Sequence, residues 1–193
     1  MSDKKVDKKE EKEKICFLIT PINSADSEIR KRVDQWMKFI YKPALEPEYK
    51  VVRADDISSP GFITDQIINY IINADLCIID LTGMNSNVMY ELAIRHLSDK
   101  QYIHIFEQGT KLPFDISNMR CIPYDQSNLK YPEDLLEEIK KNVGVINSDK
   151  YEQPQIIKEK IVLNKITDDP KKFVDLLLKH LRTLKTEDDY GDK

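Results

Sequence analysis

Glycine is scarce in this chain, and its scarcity excludes several kinds of nucleotide and catalytic site. Only five of the 193 residues are glycine. The dinucleotide fingerprint G-x-G-x-x-G and the phosphate-binding P-loop both need closely spaced glycines, and neither pattern occurs. The G-x-S-x-G elbow of serine hydrolases is missing too. A ligand phosphate would therefore have to be held by other means, such as loop amides or a helix N-terminus.

Cysteine, histidine and long apolar runs are also scarce. The three cysteines lie far apart within apolar segments, at Cys16, Cys77 and Cys121. This spacing is typical of reduced core residues in a cytosolic protein, and it predicts neither a disulfide framework nor a zinc site. The three histidines also lack ligand spacing, so we expect no metal. Since no apolar run approaches the roughly 20 residues of a membrane span, we expect a soluble cytoplasmic protein.

The charges are nearly balanced along the chain. Thirty basic and 34 acidic residues give a net charge of −4, without a basic stripe. We therefore expect no duplex nucleic acid as a partner, because such binding needs clustered basic residues. Residues 1–14 contain six lysines, five acids and a single valine. This composition predicts a flexible charged tail.

Residues 15–146 alternate between strand and helix patterns and predict one domain. Apolar runs predict five strands, at residues 15–20, 50–54, 76–79, 101–106 and, more weakly, 120–124. Amphipathic stripes between them predict covering helices, at residues 26–45, 59–72, 87–96 and 132–143. Repeated βα units with short connections favour a flavodoxin-like, doubly wound parallel sheet in the order 2-1-3-4-5, with helices on both faces. Residues 147–193 predict a C-terminal helical extension whose apolar stripe could build a homo-oligomer.

Polar side chains are concentrated where the third strand passes into its helix. The residues of this corner are Asp80, Thr82, Gly83, Asn85, Asn87 and Glu91. In a parallel sheet, the carboxyl ends of the strands and the helix N-termini beside them form the usual ligand-binding edge. We expect Asn87 to cap the helix and Asn85 to be a turn residue. The corner is therefore the candidate site.

Glu91 is the candidate catalytic residue. Departure of a base from C1′ of a ribose leaves an oxocarbenium-like centre, which a carboxylate can stabilise or trap as an ester. We expect the nearby helix N-terminus to favour the ionised carboxylate that this role needs. A structural explanation also exists, because a glutamate early in a helix is favourable by itself and Arg95 stands at the right spacing for a surface ion pair.

Further candidates surround this corner. The loop after the first strand could hold a phosphate through its N–H groups, and it consists of Thr20, Pro21 and Ile22. Asp55, after the second strand, and Asp80 could accept hydrogen bonds from ribose hydroxyls. The rings of Tyr90 and Phe114 could stack on a base, although such rings more often only pack. A phosphate-accepting receiver domain is disfavoured, since that chemistry needs acids where the first strand ends in Thr20 and Pro21.

The segment DLTGMNSNVMYELAIRH at residues 80–96 resembles the nucleoside 2-deoxyribosyltransferase-like proteins of bacteria, which are related in fold to TIR domains. The motifs RADD at residues 53–56 and LPFD at 112–115 add to the resemblance, which spans residues 15–125. It implies that Glu91 corresponds to the glutamate that attacks C1′ in the transferases and cleaves NAD in TIR enzymes. It also implies a ligand contact for Asp115, and a role in antiphage defence or signalling.

The resemblance leaves more than one function open. The transferases carry an acid six residues before their glutamate, where this chain has Asn85. Purine and pyrimidine leaving groups usually need a proton, whereas nicotinamide leaves NAD as a neutral molecule without a general acid. We therefore favour an NAD or nucleotide glycohydrolase without a separate cofactor over a nucleoside 2-deoxyribosyltransferase. The alternatives are a nucleotide-sensing module that passes a signal to an effector or sensor protein, and a structural partner subunit.

Overall fold

The computed structural model of the chain describes residues 13–22, 24, 26–57, 63–98, 100–117 and 119–148. The chain divides into two units, Met1–Pro154 and Gln155–Lys193. All described residues belong to the first unit. The predicted tail and the predicted C-terminal extension lie almost entirely outside the described residues, so both stay predictions.

Five parallel strands form one sheet in the order β2-β1-β3-β4-β5. The strands are β1 Lys14–Ile19, β2 Tyr49–Arg53, β3 Leu76–Asp80, β4 Gln101–Glu107 and β5 Cys121–Tyr124. The predicted flavodoxin-like order is thus confirmed. Because every strand is parallel, all five carboxyl ends lie along one edge of the sheet, which we call the carboxyl edge.

Helices connect the strands and cover both faces of the sheet. They are α1 Glu28–Trp36, α2 Lys42–Leu45, α3 Ile63–Asn73, α4 Ser86–Leu97, α5 Phe114–Ser117 and α6 Tyr131–Ile146. The helix predicted over residues 26–45 contains a π-helical segment, Met37–Tyr41, between α1 and α2. The connection from β4 to β5 contains the short helix α5. Single 3₁₀ turns follow β2 and β3, at Ala54–Asp56 and Thr82–Met84.

The strands send alternate side chains into two separate cores. In β3 every residue is buried, and Leu76 and Ile78 belong to the core under α1, α2 and α6. Cys77 and Ile79 belong to the core under α3 and α4. Side chains alternate between the faces of a strand with a period of two. Asp80, the last residue of β3, therefore points to the α1 side of the sheet.

Helix α4 begins one residue earlier than predicted, and its cap is a different asparagine. The side-chain oxygen of Asn85 accepts hydrogen bonds from the backbone N–H groups of Asn87 (3.0 Å) and Val88 (3.3 Å). The prediction that Asn87 is the N-cap is wrong, because the chain turns into the helix immediately after Asn85. Gly83 has φ 68° in the turn before it, a conformation that is strained for residues with a Cβ atom.

The cap predicts a difference between the two asparagines. Asn85→Ala should lower the free energy of unfolding by about 1 kcal/mol, because two helix N–H groups lose their acceptor. Asn87→Ala should change it by less than about 0.5 kcal/mol. Urea unfolding followed by circular dichroism measures both values, with Asn85→Asp as a control that keeps a capping oxygen. A larger loss in Asn87→Ala than in Asn85→Ala would contradict the assignment.

Candidate functional site

A cavity of about 290 Å³ opens at the carboxyl edge between α3 and α4. Two of its lining residues follow β1, three come from α3 and three from α4. In chain order they are Thr20, Ile22, Thr64, Ile67, Ile68, Asn87, Tyr90 and Glu91. Five of these residues are candidates from the sequence, and the structure brings them together around one hollow: Thr20, Ile22, Asn87, Tyr90 and Glu91.

The carboxyl group of Glu91 has no hydrogen-bond or ion-pair partner among the described residues. Glu91 is half-buried in the second turn of α4. Burial raises the pKa of its carboxyl group from the ordinary 4.5 to about 7. The sequence predicts that the helix N-terminus keeps this group ionised, but the dipole acts mainly within the first turn. At neutral pH the carboxyl group is therefore about half protonated.

Arg95 does not pair with Glu91, so a surface ion pair does not explain Glu91. The Arg95 side chain is fully buried. Its guanidinium donates hydrogen bonds to three backbone oxygens: Ile71 O at 2.6 Å, Ala74 O at 2.9 Å and Gln101 O at 2.6 Å. These bonds turn the arginine toward the protein interior, and they leave the Glu91 carboxyl group to the cavity.

Thr20 contributes a second unsatisfied polar group to the cavity wall. It is 4% exposed, and its Oγ1 has no hydrogen-bond partner among the described residues. A buried hydroxyl without a partner is costly, and a ligand hydroxyl could relieve that cost. Tyr90, which is 64% exposed, presents its ring at the cavity mouth. Pro21 is buried beside Thr20 but does not line the cavity.

Asp80, predicted to bind ribose, lies away from the cavity. It is fully buried, and its carboxylate accepts hydrogen bonds from the backbone N–H of Thr82 (3.0 Å) and from Arg32 of α1 (3.4 Å). Burial raises the pKa of Asp80 despite these partners. Asp80 is not among the described residues that line the cavity, and its carboxylate is fully buried on the face that α1 covers, so it does not contact a ligand in the Glu91 cavity.

Thr82, also a predicted ligand residue, ties strands together instead. Its hydroxyl oxygen accepts a hydrogen bond from the Glu107 backbone N–H at 3.0 Å and lies 2.7 Å from the Tyr124 hydroxyl oxygen. These contacts join the turn after β3 to β4 and β5. A structural role therefore accounts for Thr82 in full.

The remaining candidates also lie outside the cavity lining. Asp55 forms ion pairs with Arg53 and with Arg30 (2.5 Å). Partial burial acts to raise its pKa, but the arginines leave that pKa below its ordinary value. Phe114 is 80% exposed on α5, and the Asp115 side chain is outside the described part of the structure. Gly83 and Asn85 serve the turn and the cap of α4.

Sequence reasoning missed the α3 wall of the cavity. Thr64, Ile67 and Ile68 recur at the i, i+3, i+4 spacing of one helix face. The apolar members of this face, taken as a pattern, indicate ordinary core packing. The signal that could have identified the wall is topological, since right-handed crossovers put α3 and α4 on the same face of the sheet.

The two described histidines form a structural pair. Nε2 of His96, near the end of α4, lies 3.1 Å from Nε2 of His104. Burial lowers the pKa of His96 to about 4 and that of His104 to about 3. Within the described ranges, no group of three or more His, Cys, Asp or Glu side chains is arranged to hold a metal ion. No helix there is long and apolar enough to cross a membrane.

Comparison with known proteins adds no identification to this geometry. No protein-family model matches the chain, and no curated protein matches it. The family assignment therefore stays a prediction from the residues themselves. What the site offers is a partnerless carboxyl group, a partnerless hydroxyl and an aromatic ring around one cavity.

The raised pKa of Glu91 predicts a stability change that needs no ligand. Between pH 4.5 and 7 the folded state binds more protons at this group than the unfolded state does, so its contribution to stability falls as pH rises through that window. Glutamine does not titrate, so Glu91→Gln removes this loss of stability at high pH. At pH 8 the variant should exceed the wild type by about 1–3 kcal/mol in free energy of unfolding, and at pH 4.5 by close to nothing.

Urea unfolding at the two pH values measures this difference. The matched control is Glu138→Gln on the exposed side of α6, which should change the free energy of unfolding by less than about 0.5 kcal/mol at either pH. If Glu91→Gln has the same effect at pH 4.5 and pH 8, the assigned burial of Glu91 is wrong.

Proposed function

We propose that the protein is a nucleotide N-glycosidase, with NAD as the favoured substrate and Glu91 as the nucleophile or oxocarbenium stabiliser. The observation that carries the proposal is the partnerless Glu91 carboxyl group in the wall of a cavity at the carboxyl edge. A carboxyl group kept half-buried without a partner costs stability. Such a cost is common at sites where the group acts on a ligand.

The size and charge of the cavity support the choice of substrate. About 290 Å³ lies near the lower end of small-molecule sites and suits a nucleoside better than a whole dinucleotide. None of the described lining residues is lysine or arginine. The phosphates would therefore remain outside, where water screens them. Glu91 is the only residue with a charged side chain among the described lining residues. A cationic pyridinium nucleoside inside the cavity would face this acid.

The reaction breaks the bond between C1′ and the ring nitrogen, and the electron pair of that bond leaves with nicotinamide. The positive charge that develops at the sugar is stabilised by the Glu91 carboxylate, either through space or as a covalent ester that water then hydrolyses, releasing a proton. Neutral nicotinamide needs no general acid. This agrees with the described part of the cavity lining, in which Glu91 is the only acid, and with Asn85, which is engaged in the helix cap.

Other lining residues would orient the substrate. Thr20 lines the cavity with a hydroxyl that has no partner among the described residues, and the Tyr90 ring can stack on the base. Ile67 and Ile68 supply an apolar wall. From the resemblance we further propose that the protein works in antiphage defence or signalling, as a homo-oligomer that responds to a sensor or effector partner.

A nucleotide-binding module without turnover is the second candidate. The feature that favours it is the burial of Glu91, which raises the pKa of its carboxyl group to about 7. A protonated carboxyl group is a hydrogen-bond donor and not a nucleophile. A nucleoside 2-deoxyribosyltransferase is less well supported. The residue that would have to assist the base is Asn85, whose side chain caps α4.

Incubation with NAD, nucleoside monophosphates and deoxynucleosides, followed by mass spectrometry, tests the enzyme proposal. We expect nicotinamide to be released from NAD, and Glu91→Gln should slow its release at least about 100-fold while leaving the fold intact. Asp65→Asn is the matched control, because Asp65 is an exposed acid of α3 that does not line the cavity. Equal rates in the wild type and Glu91→Gln would refute catalysis by Glu91. A ligand-dependent rise in Tm without product would favour the binding module.

The pH dependence of the reaction has a predicted direction. Because Glu91 must be ionised, kcat/KM should rise with pH and reach half its plateau near pH 7. At pH 6 it should be about tenfold below the plateau. A cationic substrate favours the carboxylate, so the midpoint for kcat should lie below that for kcat/KM. Initial rates between pH 5.5 and 8.5 measure both profiles, and a kcat/KM that falls as pH rises would be incompatible with a carboxylate nucleophile.

A further inference from the structure

We propose that Arg95 is a positioning residue that holds α3 and α4 at the separation which shapes the Glu91 cavity. Six of the eight lining residues that the structure describes come from these two helices. Arg95 belongs to α4 and follows Glu91 by four residues, which is about one helical turn. A change in how α4 lies against α3 therefore moves the Glu91 carboxyl group relative to the opposite wall.

The hydrogen bonds of Arg95 are directed at the neighbours of α4. Ile71 O and Ala74 O lie at the C-terminal end of α3, where the last helix carbonyls lack partners within their own helix. Gln101 O lies at the start of β4. One rigid guanidinium thus fixes α4 to both α3 and the sheet. Its positive charge also suits the negative end of the α3 dipole.

A lysine could not replace this arrangement. The guanidinium is a planar fork with five donors, whereas the lysine ammonium is a single point at the end of a flexible stem. Nη2 reaches Ala74 O and Gln101 O while Nη1 reaches Ile71 O. We expect a single ammonium nitrogen to leave at least one of these three carbonyls without a donor. Arg95→Lys should therefore let α3 and α4 move apart and expose the Glu91 carboxyl group to more water.

The pKa of Glu91 reports how much water reaches its carboxyl group. The residues that face it across the cavity, Thr20 and Ile22 after β1 and Thr64, Ile67 and Ile68 on α3, carry no charge. From β3 the nearby titratable group is Cys77, a neutral thiol because burial raises its pKa to about 12. The raised pKa of Glu91 is caused by burial. Opening the cavity should thus bring the pKa of Glu91 back toward 4.5.

The catalytic consequence rests on the proposed function. If the cavity cleaves an N-glycosidic bond, a looser α3 wall should raise KM and shift the kcat/KM midpoint below pH 7. The geometric claim does not depend on turnover, because the pKa of a carboxyl group can be followed in protein that has no substrate.

The test is a ¹³C NMR titration of the Glu91 carboxyl carbon, with the resonance assigned by its loss in Glu91→Gln. Arg95→Met would leave three carbonyls without a donor and is not expected to fold, so the test variant is Arg95→Lys. Arg95→Gln is the second variant. Sucrose is added to both proteins to keep them folded. The matched control is Ile139→Val, which loosens the buried core under α6 on the other face of the sheet.

We expect the pKa of Glu91 to fall by at least about one unit in Arg95→Lys and to stay near 7 in Ile139→Val. A folded Arg95→Lys protein with a lowered Tm and an unchanged Glu91 pKa would overturn the inference, because Arg95 would then only stabilise the fold. If the pKa falls as expected but the wild type releases no base from any nucleotide, the positioning role stands and the proposed function fails.

Discussion

Three hydrogen bonds from one buried guanidinium join the two helices between which the candidate site lies. Arg95 reaches two carbonyls at the end of α3 and one at the start of β4. Because the arginine is occupied in this way, Glu91 one turn earlier keeps no ion-pair partner within the described structure. The same interaction therefore holds the cavity walls together and leaves an acid unpaired in one of them, at a cost in stability that a ligand could offset.

The parallel sheet then decides which acids can act together. Alternation along β3 sends Asp80 to the α1 side, whereas Glu91 lies on the other side with α4. Asp80 is fully buried outside the described cavity lining, so it does not pair with Glu91 around one sugar as two carboxylates do in most glycosidases. A cavity lining with a single acid suits a leaving group that needs no proton.

Much of the fold could be predicted from the sequence, because apolar runs and helical stripes alternate clearly and parallel strands need crossover helices. The site was harder to predict. Spacing alone favours an ion pair between Glu91 and Arg95, but spacing says nothing about burial, and Arg95 is fully buried. The N-cap of α4 was predicted at Asn87, but it is Asn85. Either asparagine could cap a helix that begins near both of them. The α3 wall went unnoticed, since an apolar helix face looks the same whether it packs against a core or lines a cavity.

The most direct test of the account is a crystal structure of Glu91→Gln with nicotinamide riboside, a cationic pyridinium nucleoside that the variant should bind without cleaving. The account predicts density between α3 and α4, with the anomeric carbon close to the amide that replaces the Glu91 carboxyl group, a sugar hydroxyl near Thr20 Oγ1 and the pyridinium ring against Tyr90. Density for the ligand at another surface, with the α3–α4 cavity empty at saturating concentration, would contradict it.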